Sequence, residues 1–385
     1  MALTWSRVVA RRMDRHGLVA PVPTERAVEQ VAVMCGAHAQ VMSAAEVSIG
    51  IRVAGITRAD VRSALWERRS LVKSIGPRGT VHILDPGDLA AWNTVLAAAQ
   101  QPPGFSPDVR LTADQLDVVV AAIDAALTEA SELTIDELDG EVVRRAGSWA
   151  GDRVMPAFQE LWPRWRQAVG RAAYRGVLCF GPNRGTRTTY ASARRWLGPA
   201  PAISADDATR LVLRRYLHAY GPAAPEHVAR WLGASVAWAK SAFLLAADEL
   251  ERVEVEGART ADELWQLAGD GVGPTINGIV RLLPYFDAYS VGSHPRERVF
   301  PGRASERALA RTQAGNMPVL VVDGTVVGIW HQRRSGRRIA VTVEPFKRLA
   351  PAERRSLEDQ VGRIGEIQEA TPRLTIGTVT AGPHA

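Results

Sequence analysis

The sequence predicts a mixed α+β protein: three tandem winged-helix domains followed by a small C-terminal β-barrel domain. Two patterns predict this. An apolar helical stretch followed by a short β-like pair around a glycine occurs three times, with the pairs at 73–84, 175–192 and 250–269. Helices followed by a two-stranded hairpin spell a winged helix. After Gly273 the pattern changes to several short strands without intervening helices, which suggests a small barrel or sheet. The implied domains are 1–105, 106–200, 201–272 and 273–385. A third observation, a formal net charge of +6 over 385 residues, points the architecture toward nucleic acid.

In the first unit, Trp5, Val8, Val9 and Met13 recur at helical spacing over 4–16, with Arg7, Arg11, Arg12 and Arg15 elsewhere on the turn. Pro21 and Pro23 end that helix. Thr24 is read as the cap of a helix over 24–33, and Val61, Leu65 and Trp66 share one face of a helix over 57–69. LVKSIGPRGTVHIL reads as strand, turn and strand, and QPPGFSPD at 101–108 is a linker by composition. The second unit opens with helices over 112–130 and 134–146. A helix-like run over 156–173, interrupted by Pro163, leads to the wing VLCFGPNRGTRTTYAS, which carries Arg184 and Arg187. In the third, PEHVARWLGASVAWAKSAF reads as helix, turn at Gly233 and helix, closed by the strands LERVEVEG and ELWQLAG. Beyond it RLLPYFDAYSVG, MPVLVVDGTVVGIWHQRR and RRIAVTVEPF are strand-like, with Asp323-Gly324 as a hairpin turn, and a helix over 351–365 precedes the tail.

Composition excludes several classes. Hydrophobic content of 46% and charged content of 23% are a globular balance, and 385 residues exceed one ordinary core. Cys35 and Cys179, each in an apolar run, make neither a disulfide framework nor a zinc site, so a reducing compartment and no metal are expected. The N-terminus has no uninterrupted apolar stretch of the secretory kind, and no run approaches membrane-spanning length. The expectation is a cytoplasmic, nucleoid-associated protein with no membrane partner. The basic charge is carried almost wholly by arginine, since the lysines are Lys73, Lys240 and Lys347. Arginine forks onto phosphate oxygens as a lysine cannot, although a coding bias toward Ala, Arg, Gly and Val produces the same excess.

Catalytic signatures are scarce. There is no Walker loop, HExxH, nucleophile elbow or dinucleotide fingerprint, and GPRGT and GPNRGT are too short to cradle phosphate. The informative polar island is His38-Ala39-Gln40, inside VEQVAVMCGAHAQVMSAAEVSIG. On the residues alone this is as readily a hydrogen-bonded core histidine beside a surface glutamine. On a regular helix the two side chains diverge by more than half a turn. They converge only at a helix end or irregular turn, which Gly36 permits.

GAHAQVMSA, GPRGTVHILDP, YGPAAPEHVARWLG, LLPYFDAY and VLVVDGTVVGIW, in this order and spacing, resemble the bacterial winged-helix DNA glycosylases of the AlkZ/YcaQ type over essentially the whole chain. The resemblance implies three winged helices plus a β-barrel, a monomer, and a monofunctional enzyme. That enzyme hydrolyses the N-glycosidic bond of N7-alkylated, bulky or crosslinked guanine in double-stranded DNA, in base excision repair or in self-resistance to an alkylating natural product. It implies no cofactor. The family's polar-apolar-polar catalytic triplet, commonly Gln-x-Gln or Gln-x-Asp, corresponds here to His38 and Gln40, so this chain departs from the pattern as a His-x-Gln variant. Asp287 in LLPYFDAY matches a family position. It is expected either to support the site, or to cap a strand end, or to partner Arg296 or Arg298. Lys73, Arg78, Thr80, Arg184, Arg187, Arg333, Arg334, Arg337 and Arg338 are the candidate DNA contacts. Without a general-base role for the triplet, the same architecture is a non-catalytic winged-helix DNA binder or transcriptional regulator. A protein-interaction scaffold is the third class.

Overall fold

The computed structural model describes residues 3–99, 104–157, 160–258 and 263–380, so the linker expected at 101–108 is described only from residue 104. The chain is mixed α/β and divides into two compact units, one of 1–63, 213–231 and 236–385, the other of 64–212 and 232–235.

The first unit is built on a five-stranded sheet whose strands follow in the order Val280–Leu283, Val319–Val322, Thr325–Ser335, Arg338–Pro345, Thr371–Ile376. The first four are antiparallel, with Val280 opposite Val322, Val322 opposite Thr325 and Ser335 opposite Arg338. The fifth runs parallel to the fourth, Arg338 opposite Thr371. A parallel neighbour needs a crossover, and the helix Pro351–Ile367 supplies it. Among the described residues the first and last strands do not pair, so the sheet is an open row rather than the closed ring expected. One strand expectation also gives way locally, since Ala288–Gly292 of LLPYFDAYSVG is a helical turn, and Thr371–Ile376 is a strand beyond those expected. At the predicted Asp323-Gly324 turn both residues have positive φ (48° and 80°), and a Cβ on Gly324 would collide with Val9.

The core of this unit joins sheet residues such as Leu282, Leu320, Ile329 and Val341 to Met13 and Val47 from two helices, Trp5–Arg15 and Met42–Gly50. The first helix follows its expected span and is capped by Thr4, whose hydroxyl accepts from Arg7 N. Its arginines belong largely to the interior. Arg12, 1% exposed, donates to the carbonyls of Gly221, Pro222 and His294, and Arg11 to Gly271 O and Gln266 Oε1. Burial lowers the Arg12 guanidinium to about 10. Thr24 is no cap: Pro23 precedes the turn, and Thr24 Oγ1 donates to Ala54 O.

Four histidines of this unit resist protonation. Burial lowers His218 and His227 to about 4, and it holds His16 and His294 below their usual range as well. Ala224 N donates to His227 Nδ1, a bond that only an unprotonated nitrogen accepts. Unfolded histidines titrate near ~6.5, so the unfolded chain takes up protons that the folded chain refuses. Stability is therefore fully present above about pH 6.5 and is lost as pH falls toward 4, by up to ~1.4 kcal/mol per pH unit for each such group. The thermal midpoint is expected to drop through this window, and His227→Gln to flatten the drop. A midpoint constant from pH 6.5 to 4 would contradict this.

In the second unit the hairpin Val72–Ile75/Val81–Leu84 turns through Pro77–Gly79 as predicted, and Leu178–Arg184 pairs with Arg187–Ser192. The helices Ala113–Ala130 and Ile135–Ala146 open with capping boxes, Thr112 with Gln115 and Thr134 with Glu137. Val119, Ile123, Leu138, Val142 and Trp165 form the core between them. The helix expected over 156–173 is corrected. Arg153–Ala157 and Glu160–Pro163 form a hairpin, a 3-10 helix follows over Arg164–Ala168, and α-helix returns at Val169–Tyr174. Pro156 and Pro163 lack the N–H that a helix interior needs but are tolerated in a two-stranded edge. Cys179 is buried in this unit as a free thiol, and burial raises it to about 12.

Of the third predicted hairpin, Leu250–Arg252 pairs with Trp265–Leu267, and the helix pair Pro225–Leu232 and Val236–Leu245 meets at Gly233 with φ 79°. Among the described residues no helix is long and apolar enough to cross a membrane.

Candidate active site

The helix Ala27–Val33 is stopped by two left-handed residues, Cys35 (φ 61°) and Gly36 (φ 91°). Gly36 N closes the turn onto Val31 O at 2.9 Å. Glycine adopts this conformation without penalty, whereas a cysteine there is uncommon and must be held by its surroundings. The chain leaves extended at Ala37–His38 and re-enters helix at Met42. That break removes the regular helix on which the two side chains would diverge, with Gln40 in a bend just before Met42. Ala39, between them, is buried, His38 is 6% exposed and Gln40 is exposed. Gln40 is thus the outer member of the pair and His38 the inner.

The imidazole of His38 lies against the ring of Phe286, centroids 4.4 Å apart and planes at 33°. Phe286 is itself left-handed (φ 53°), and its N–H donates to Gly315 O at 2.9 Å. A Cβ on Gly315 would stand 2.8 Å from the Phe286 ring and 3.1 Å from its backbone, so glycine is needed for this corner to close. The next residue, Asp287, is fully committed. Its Oδ1 accepts from Arg52 Nη2 at 2.7 Å and Tyr289 N at 3.0 Å, and its Oδ2 from Arg52 Nη1 at 2.8 Å and Ser48 Oγ at 2.7 Å. Both charged side chains are 0% exposed. Arg52 Nη1 also donates to Ser48 O at 2.7 Å. The ion pair therefore ties the helix that begins just after Gln40 to the corner that carries the ring against His38.

This corrects the alternatives read for Asp287. It caps the helical turn Ala288–Gly292 rather than a strand end, and its partner is Arg52. Arg296 donates instead to the carbonyls of Ser290, Val291 and Ser293, and Arg298 to that of Gly257. With every carboxylate lone pair occupied, Asp287 acts on the site only through position. Sequence reasoning missed Ser48, Arg52 and Phe286; the one available signal was an arginine inside the apolar run VSIGIRV. It also missed Glu46, buried on the same helix, whose carboxyl burial pushes above the usual range while Arg62, 2.6 Å away, pulls it back.

The remaining candidates are dispersed. Lys73 is half-buried on its strand, its ammonium 5.4 Å from the Phe180 ring centroid. Arg78 occupies the turn with φ 60°, and the Thr80 hydroxyl donates to Pro77 O, so it serves the turn's own geometry. Arg184 pairs with Glu137 at 2.7 Å and Arg187 with Asp136 at 3.1 Å. At the tip of the Thr325–Ser335/Arg338–Pro345 hairpin, Arg333, Arg334, Arg337 and Arg338 are exposed. Arg334 donates to Gly336 O and Gln368 O. Among the described residues no group of His, Cys, Asp or Glu is arranged to hold a metal ion.

Residues 31–367, which include His38, Gln40 and Asp287, match the family model described as DNA glycosylase AlkZ-like. The chain belongs to the AlkZ-like DNA glycosylase family. An AlkZ-like relative from Streptomyces sahachiroi, named interstrand DNA cross-link repair glycosylase, is 32% identical over 341 residues, 86% of this chain and 88% of its own. The solved structure of Streptomyces sahachiroi DNA glycosylase AlkZ superposes with a TM-score of 0.79 at 28% identity, covering 98% of this chain and 100% of that one. The AlkZ-like assignment agrees with the motifs that carried the resemblance and makes the chain an enzyme of DNA glycosylase chemistry.

Proposed function

We propose that this AlkZ-like enzyme hydrolyses the N-glycosidic bond of N7-alkylated guanine, bulky or crosslinked, in double-stranded DNA. The observation that supports the reading is the break in helix at His38-Ala39-Gln40, between the helix that ends at Val33 and the one that begins at Met42, with the imidazole on the buried side and the amide exposed. Alkylation at N7 leaves the base cationic, so it departs as a neutral molecule without a general acid. Gln40 orients a water through its amide oxygen. The water oxygen bonds to C1′ as the C1′–N9 bond breaks and its electron pair stays with the base. His38 accepts the water's proton. Unmodified purines, which nothing here protonates, are poor substrates. The crosslink-repair name of the relative supports a bulky lesion, in base excision repair or in self-resistance.

The reading extends to the scaffold: segments 1–105, 106–200 and 201–272 as winged helices, 273–385 as a barrel-like domain, and a cytoplasmic, nucleoid-associated monomer. Lys73 contacts phosphate rather than forming a Schiff base, so strands are not cut. Incubation with N7-methylguanine DNA should release free base and leave abasic sites that cleave only on heating in alkali. Binding without release would favour the non-catalytic reading, and strand scission at neutral pH lost in Lys73→Ala would contradict monofunctionality.

Among the proposed DNA contacts the hairpin tip ranks above the second wing. Arg184 and Arg187 sit beside carboxylates that oppose an incoming phosphate, whereas Arg333, Arg337 and Arg338 are exposed. Each phosphate contact contributes about 0.9 to the slope of log affinity against log salt. Replacing those three with alanine is expected to lower the slope by roughly 2 to 3. Arg184→Ala with Arg187→Ala is expected to lower it less. Equal effects would overturn the ranking.

A further inference from the structure

The first turn of the Trp5–Arg15 helix borders a cleft of about 380 Å³ that neither His38 nor Gln40 lines. We propose that this cleft binds a phosphate ester of nucleotide size. Its cationic members are Arg7 and Arg298. Arg7 spends one bond on Gly273 O and Arg298 one on Gly257 O, and among the described residues neither is in an ion pair. Each guanidinium has five donors, so most remain for a ligand. The Arg298 guanidinium carbon stands 5.5 Å from the Trp5 ring centroid.

Two further observations point to an oxyanion. Trp5 is 8% exposed, and its Nε1 is a buried donor with no hydrogen-bond partner in the structure. Native proteins leave few such donors unmet, and in this proposal an oxygen of the ligand is the acceptor that this one gains. The eleven-residue helix also presents its positive end here. The one carboxylate on the cleft, Asp323, is held by the N–H groups of Gly278 and Ile279, so it is turned to the protein's own backbone. Two guanidinium forks and an indole N–H exceed what the two oxygens of a carboxylate accept, which favours the three oxygens of a phosphate monoester. Val9, Pro274 and Ile276 supply an apolar flank, and the volume suits a nucleotide-sized ligand rather than a lone ion.

The phosphate comes either from a free nucleotide or from the end of a DNA strand, and the test separates them. The full chain is titrated by calorimetry with deoxyguanosine 5′-monophosphate, inorganic phosphate, and an undamaged duplex with or without a 5′-phosphate. The monophosphate is expected to bind at least tenfold more tightly than inorganic phosphate. The double variant Arg7→Ala/Arg298→Ala, whose melting temperature controls for folding, should weaken it at least tenfold. If a strand end is the natural ligand, the 5′-phosphorylated duplex binds more tightly than the unphosphorylated one, and only in the unaltered chain. If it is a free nucleotide, the two duplexes bind alike. Trp5→Phe, which removes the indole donor and keeps an aromatic ring, should weaken the monophosphate without lowering the melting temperature. Failure of the monophosphate to bind, or binding indifferent to both variants, overturns the proposal. Base release from N7-methylguanine DNA reads the His38 and Gln40 assignment separately.

Discussion

Replacing His38 with alanine is expected to lower single-turnover base release by about 10²–10⁴-fold, the range a positioned general base contributes. DNA affinity should stay within a few fold, because the proposed phosphate contacts lie elsewhere. Gln40→Ala should act in the same direction, since the amide orients the attacking water. The two effects should combine to less than their product, because both act on one water molecule. His38→Gln is informative in another way. The family resemblance commonly sets glutamine at the first position, so this variant should retain more activity than His38→Ala. Rapid-quench measurement of base release under enzyme excess checks all three. Full activity in both alanine variants would remove the site assignment and leave the family chemistry without these residues.

Asp287→Ala is expected to cost about 3–5 kcal/mol of stability, the usual penalty for leaving one member of a buried ion pair without its partner. Arg52 has no solvent to turn to, since its side chain is fully buried. Losing the carboxylate also frees Ser48 Oγ and Tyr289 N from their acceptor. The double variant Arg52→Met/Asp287→Leu should recover much of the loss, because apolar groups of similar volume often replace a buried pair at little cost. Activity should not recover in parallel. The pair fixes the corner that carries Phe286, and Phe286 is what the His38 ring rests on. Chemical denaturation paired with base release per folded molecule separates the two effects. Melting of Asp287→Ala at the wild-type temperature would contradict the account.

What the sequence made legible was local. The helices that begin after Thr112 and Thr134 could be read because their capping partners stand three residues away. The hairpins around Pro77–Gly79 and Asp323-Gly324 could be read because their turns demand particular residues. The part of the expected 156–173 helix that pairs as strand, up to Pro163, is local as well, but its apolar spacing fits either period, and only the prolines argue for strand. Illegible features depend on distant partners. Thr371–Ile376 becomes a strand only beside Arg338–Pro345, and Arg12 is interior because carbonyls more than 200 positions away receive it. The candidate site divides in the same way. His38 and Gln40 are legible through a resemblance, whereas the break in helix that holds them depends on the backbone of Cys35 and Gly36, which composition does not encode. The Arg52–Asp287 pair, 235 residues apart, had no signal beyond one charge in an apolar run.

The central claim is that a base made cationic before it leaves needs only an oriented water. The direct measurement compares single-turnover release of N7-methylguanine and of O6-methylguanine, equally substituted but neutral, from otherwise identical duplexes. The account predicts release of the first and little or none of the second. Comparable rates would contradict it, because a neutral guanine leaves only when something protonates it.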